Sequence, residues 1–162
     1  MGKTIMSLFF AVTSLCAFFL LTACGDEGCT ESTVSYTVAG IVQKQVSSKT
    51  AIKTVSVYGI DQGKDTAMVN GQSDLKVISL LLNPDTVYTA MDFVFSFAEM
   101  DTIRDTIEFY YKNQEYFLTI DCGCTVYNYL DSIKHTDHLI KNIEIINPEV
   151  KNEKSPNITL YY

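Results

Sequence analysis

The sequence has no cluster of lysine or arginine. Its 12 basic residues stand against 19 acidic ones, a net charge of −7. The longest basic features are single lysines set among other residues, as in Lys151-Asn152-Glu153-Lys154. Phosphate neutralisation needs grouped cations, so the chain is read as having no nucleic-acid partner. No window carries a 3.6-residue apolar stripe longer than about three turns, which argues against a helical domain. There is no Gly-x-Ser-x-Gly elbow and no glycine-rich loop to cradle a phosphate. Only two histidines occur, neither in a recognisable triad setting. Internal repeats and low-complexity segments are also lacking. These gaps leave nucleophilic catalysis and nucleotide binding without support.

What is present starts at the N-terminus. After Lys3, an uncharged and mostly apolar run extends from Ile5 to Leu21. A charged start and an apolar middle mark a secretory signal. A bilayer-spanning helix needs about 20 apolar residues, so length alone also permits an uncleaved anchor. Two features oppose that. Small residues precede Cys24, and Asp26 and Glu27 follow it, where a stop-transfer helix more often ends in Lys or Arg. The segment Leu21-Thr22-Ala23-Cys24-Gly25 resembles the bacterial lipobox. The resemblance implies cleavage after Ala23 and lipid on Cys24. Several acyl chains make attachment durable, so the folded domain needs no apolar patch of its own. Gly25-Asp26-Glu27 resembles the acidic surface-export signal of Bacteroidota lipoproteins, but Gly28 cuts it short. An outer-membrane location follows from these resemblances, with the periplasmic face and the cell surface both open. The expected division is a signal peptide over 1–23, a lipidated tether over 24–32 and one domain over 33–162. Without Lys3, the mature chain carries 11 basic and 19 acidic residues, a net charge of −8.

The mature chain reads as β throughout. Val34, Tyr36 and Val38 alternate with Ser35, Thr37 and Ala39, and Phe93, Phe95 and Phe97 share one face. Ile103, Ile107, Phe109 and Tyr111 share a parity that Asp105 breaks. Further runs lie at 52–58, 75–82, 126–130, 140–146 and 158–162. Period-2 alternation over short stretches marks strands with one face in a core. Asn70-Gly71, Asn83-Pro84-Asp85, Asn113-Gln114 and Asn147-Pro148 read as turns between them. The expected fold is an all-β antiparallel sandwich of about 7–9 strands.

From about Asn113 onward the chain carries more specific words. Asp121-Cys122-Gly123, Ile133-Lys134-His135-Thr136, Ile143-Glu144-Ile145-Ile146-Asn147-Pro148 and Asn157-Ile158-Thr159-Leu160-Tyr161-Tyr162 resemble a Bacteroidota outer-membrane lipoprotein family of unknown function (domain of unknown function 6452). The resemblance supports the envelope address and supplies no activity. It implies a disulfide between Cys29 and Cys122, the positions that match the family's two cysteines. Cys124 departs from that pattern. Cys29 with Cys124 is the competing pair, and Cys122 with Cys124 would need Gly123 to bend the chain, because α-carbons two apart in a strand lie about 6.5 Å from each other.

Four groups of residues are candidates for chemistry. A Cys122-Gly123-Cys124 pair suits thiol–disulfide cycling, but no helix N-terminus or basic neighbour is evident to lower a thiol pKa. One structural disulfide with a spare cysteine is the favoured reading. His135 and His138, with Asp137 between them, are weak zinc candidates, better read as a polar turn between Ile133 and Leu139. Asp65-Thr66-Ala67 and Asp85-Thr86-Val87 resemble a Bacteroidota O-glycosylation sequon, which makes Thr66 and Thr86 candidate acceptors. Tyr110, Tyr127 and Tyr161 are candidates for a ligand face, since tyrosine suits surfaces that are part apolar and part wet. No cofactor is expected. The reading is a lipid-anchored envelope lipoprotein acting as a non-catalytic binding or structural module, attached to the membrane through its lipid and open to envelope proteins or glycans as partners. The rival is an envelope thiol-redox or metal-dependent enzyme using Cys122/Cys124 or His135/His138.

Overall fold

The computed structural model describes residues 33–42, 51–60, 66–73, 76–151, 153 and 155–162. The signal peptide, the tether, Cys24 and Cys29 lie outside them. The chain divides into two compact units, Met1–Thr30 and Glu31–Tyr162.

Among the described residues there are ten strands and no helix. They are β1 (Thr37–Val42), β2 (Ile52–Gly59), β3 (Thr66–Gln72), β4 (Val77–Leu80), β5 (Tyr88–Phe97), β6 (Ile103–Thr119), β7 (Gly123–His135), β8 (Asn142–Ile145), β9 (Glu149–Val150) and β10 (Ile158–Tyr161). A four-stranded sheet runs β4-β1-β10-β8, and a six-stranded sheet runs β3-β2-β5-β6-β7-β9. The all-β sandwich is as expected. The strand number is ten rather than 7–9, because β3 and the two-residue β9 carry too little alternation to be read. The pairing is also not wholly antiparallel, since β1 and β10 run parallel.

Both sheets bury one face in a common core. Ala39, Ile78, Leu80, Ile158 and Leu160 come from the four-stranded sheet. Val55, Val57, Phe93, Phe95, Ile107, Phe109 and Leu130 come from the six-stranded one. Cross-strand pairs fix the register, with Phe95 opposite Val55 and Phe93 opposite Val57. Such aromatic and β-branched pairs are the usual unit of sheet stabilisation.

Where the chain crosses between sheets, backbone amides leave the ladder and need other partners. Three polar side chains supply them. Asp105 on β6 is buried on the core face. Its Oδ1 accepts from the Thr136 hydroxyl at 2.6 Å and the His138 amide at 2.9 Å, and its Oδ2 accepts from the amides of Leu139 at 2.7 Å and Ile140 at 2.9 Å. This ties down the β7-to-β8 crossover. Tyr111 does the same for the β4-to-β5 crossover, its hydroxyl lying 2.8 Å from the Asn83 carbonyl and 2.6 Å from Thr89 Oγ1. Asn157 accepts from the Val38 amide and donates to the carbonyls of Asn147 and Glu149, joining β1 to the segment between β8 and β9.

Candidate functional site

β6 and β7 form a long hairpin. β6 pairs with β5 only as far as Tyr110, which faces Tyr88. Beyond that point, among the described residues, it continues to Thr119 against β7 alone. Asn113 and Gln114, expected in a turn, therefore lie in mid-strand. The Asn113 side chain explains its placement: Nδ2 donates to the carbonyls of Pro84 and Thr86, and Oδ1 accepts from Asn128 Nδ2 at 2.7 Å. The true turn is at 120–122, where Gly123 has a φ of 72°, a conformation that glycine adopts without steric cost.

One irregularity sets the site. Tyr110 pairs with Ser132 and Tyr111 with Leu130, so Asp131 is an extra residue on β7. A bulge of this kind shifts the side-chain parity of its strand. Ile133 faces the core before it, and Leu130 and Asn128 after it. The odd-numbered Tyr129 and Tyr127 are thereby turned outward. On the outer face, Tyr129 lies between Lys112 and Glu149, and Tyr127 opposes Gln114. Tyr116 and Tyr127 stack with ring centroids 5.2 Å apart. Together Gln114, Tyr116, Tyr127, Tyr129, Glu149 and Lys151 line an open groove of about 460 Å³.

Charge in the groove is balanced. Lys151 Nζ lies 2.6 Å from Glu149 Oε2, and this hydrogen bond holds the ammonium pKa above its ordinary value. Further along the same face, Lys112 pairs with Asp131 at 3.2 Å. Tyr88 and Tyr110 then continue the aromatic stripe, with ring centroids 5.1 Å apart and Lys134 Nζ 5.0 Å from the Tyr110 centroid. The Tyr110 hydroxyl donates to Glu108, which raises its pKa. From Tyr110 to Tyr116 the stripe spans about 20 Å at the usual rise per residue.

Stacked rings and paired charges thus share one outer face. The resemblance carried by the C-terminal segment is matched over residues 54–162. The chain belongs to the family of unknown function DUF6452. No curated protein and no solved structure matches it.

In this DUF6452 chain the sequence candidates separate. Tyr110 and Tyr127 share the outer face. Tyr161 is on the other sheet, where its hydroxyl donates to Glu144. Gly123 bends the chain as a Cys122–Cys124 bond would need, but into the hairpin turn. Cys122 is disulfide-bonded, while Cys124 sits on the ladder opposite Phe117 as a free, exposed thiol. The pairing Cys29–Cys124 and the Cys122/Cys124 couple are both set aside by this arrangement. His138 Nδ1 is 3.1 Å from Asp105 Oδ1. His135 Nδ1 is 2.7 Å from the Thr136 carbonyl. Among the described residues no three His, Cys, Asp or Glu side chains are grouped to hold a metal. Thr86 is exposed, but its hydroxyl donates to the Tyr88 carbonyl at 2.6 Å. Thr66 opens β3, and its side chain lies outside the described set.

The residues missed by sequence reasoning are Asp105, Tyr116, Tyr129, Glu149 and Lys151. A carboxylate breaking an apolar parity was a usable signal for Asp105. The others became a site only through the bulge at Asp131 and the short β9, neither of which leaves a local pattern.

Proposed function

We propose that the protein is a lipid-anchored lipoprotein of the outer membrane that acts as a non-catalytic binding module, with the tyrosine groove as its ligand face and neutral glycans as its ligand class. The stacked pair Tyr116–Tyr127, beside exposed Tyr129, carries this reading. Tyrosine rings offer rigid apolar area against the faces of sugar rings, and Gln114, Glu149 and Lys151 offer hydrogen bonds to hydroxyls. The acidic domain disfavours polyanions. The lipobox resemblance at Cys24 supports the anchor.

The glycan reading is tested with immobilised neutral oligosaccharides released from the envelope of the source cells. Tyr127→Ala is expected to weaken binding by about 2 kcal/mol, roughly thirtyfold. Tyr161→Ala, on the other sheet, is expected to leave it unchanged. Equal binding by wild type and Tyr127→Ala sinks the assignment of the groove. The anchor is tested by feeding cells labelled palmitate. The wild-type protein is expected to take up label and Cys24→Ser to take up none, and label retained by Cys24→Ser overturns the anchor.

A further inference from the structure

The end of the β6–β7 hairpin is apolar where a free hairpin in water would be polar. Ile120 at its apex is 91% exposed, Phe117 59% and Tyr116 51%. Tyr116 points to the outer face with Tyr127. Phe117, one residue on, belongs to the opposite face, where it pairs with Cys124. The tip is therefore apolar on both sides and at its apex. A patch on one face could be covered by a neighbouring sheet. A tip with exposed apolar side chains on both faces and at its apex, interrupted by Asp121, is suited to entering an interfacial layer end-on.

The chain's entry into the domain lies beside this tip. Thr125, two residues past Gly123, donates its hydroxyl to the Thr33 carbonyl at 2.8 Å. Cys24 precedes Thr33 by nine residues, a reach of at most about 30 Å when fully extended. The proposed lipid can therefore lie no farther than this reach from Thr33, whose carbonyl is bonded near the tip, whereas the β5–β6 turn around Met100 lies at the other end of the 17-residue β6.

We propose that the hairpin tip, through Phe117 and Ile120, dips into the interfacial layer of the bilayer that carries the lipid anchor. The inference rests on the anchor proposed above and goes beyond it, because the acyl chains alone already hold the protein. The tip supplies orientation instead. Asp121 at the apex limits the depth, since a charged group is costly in the hydrocarbon core. In this pose the long axis of β6 rises from the membrane, and the groove at Tyr127 and Tyr129 sits just above the headgroups.

The chain contains no tryptophan, so a single introduced indole reports on one place. The acylated full-length protein, carrying Ile120→Trp, Phe117→Trp or Met100→Trp, is reconstituted into phosphatidylethanolamine–phosphatidylglycerol vesicles with brominated acyl chains. Both tip variants are expected to show blue-shifted emission and strong bromine quenching. Met100→Trp is expected to emit as in water and to resist quenching. Protein that floats with the vesicles while both tip indoles stay water-like overturns the insertion and leaves the anchor standing. Protein that carries no lipid and does not float overturns the anchor, and this inference with it. Equal quenching at Met100 and Ile120 overturns the end-on pose.

Discussion

Asp105→Ala is expected to destabilise the domain by about 3–5 kcal/mol, the range seen when a buried, fully hydrogen-bonded charge loses its arrangement. The carboxylate serves the amides of His138, Leu139 and Ile140 and the hydroxyl of Thr136. Removing it leaves the buried Ile140 amide and the part-buried amides of His138 and Leu139 without acceptors at the β7-to-β8 crossover, and Ile140, itself in the core, loses its tether. Asp105→Asn keeps the volume but turns a donating amide toward donors, so it recovers only part of the loss. The pH dependence separates charge from shape. Burial pushes the Asp105 carboxyl pKa up. The hydrogen bonds from Thr136, Ile140, Leu139 and His138 outweigh that and hold it below the ordinary value. A depressed folded-state pKa adds stability that is complete above the unfolded-state value of about 3.9 and is lost as pH falls through the folded value. Urea unfolding followed from pH 7 to pH 2 is expected to show the wild type losing its advantage over Asp105→Asn from about pH 4 downward. A constant gap between the two across that range sinks the role given to the charge.

Legibility in the sequence followed the reach of each interaction. Alternation along one strand is local, so Phe93, Phe95 and Phe97, or Ile107 and Phe109, reveal the core face directly. The bulge at Asp131 is not local. Nothing in Leu130-Asp131-Ser132 alone says that Tyr110 pairs with Ser132 while Tyr111 pairs with Leu130. The turn reading of Asn113-Gln114 failed for a related reason. Asparagine favours turns because its side chain competes for nearby backbone groups. Here Asn113 spends that capacity on carbonyls 27 and 29 residues away, which lets it stay in the ladder. Asp105 marks the middle ground: its break in parity was visible, and its partners, more than 30 residues downstream, were not. The groove belongs with the bulge, since it needs β6, β7 and β9 brought side by side.

Cys122→Ala is expected to cost about 4–5 kcal/mol, a large share of the 5–15 kcal/mol typical of a whole domain. Cys122 is bonded and Cys124 is free. If Cys16 leaves with the signal and Cys24 carries lipid, as proposed, Cys29 is the thiol left to pair. A bond from Cys29 to Cys122 closes a loop of more than 90 residues. In the chain-entropy model a loop of that length restricts the unfolded chain strongly. Cys124→Ser makes the control, because an exposed free thiol is worth less than about 0.5 kcal/mol. Guanidinium unfolding without reductant should separate the two variants, and a non-reduced peptide map of the mature protein should link Cys29 to Cys122 and leave one free thiol. A map joining Cys29 to Cys124, or a Cys124→Ser variant as unstable as Cys122→Ala, overturns the assignment. The bond also bears on the membrane pose. A two-stranded arm is marginal by itself, and among the described residues no third strand pairs with the β6–β7 hairpin on the tip side of Asn128. The hydrogen bond from Thr125 to Thr33 braces that arm, and the expected Cys29–Cys122 bond adds a covalent tie. Cys122→Ala is therefore expected to leave the lipid attached while lowering the bromine quenching at Ile120→Trp. Attachment and orientation are then separable properties, one carried by Cys24 and the other by the braced hairpin.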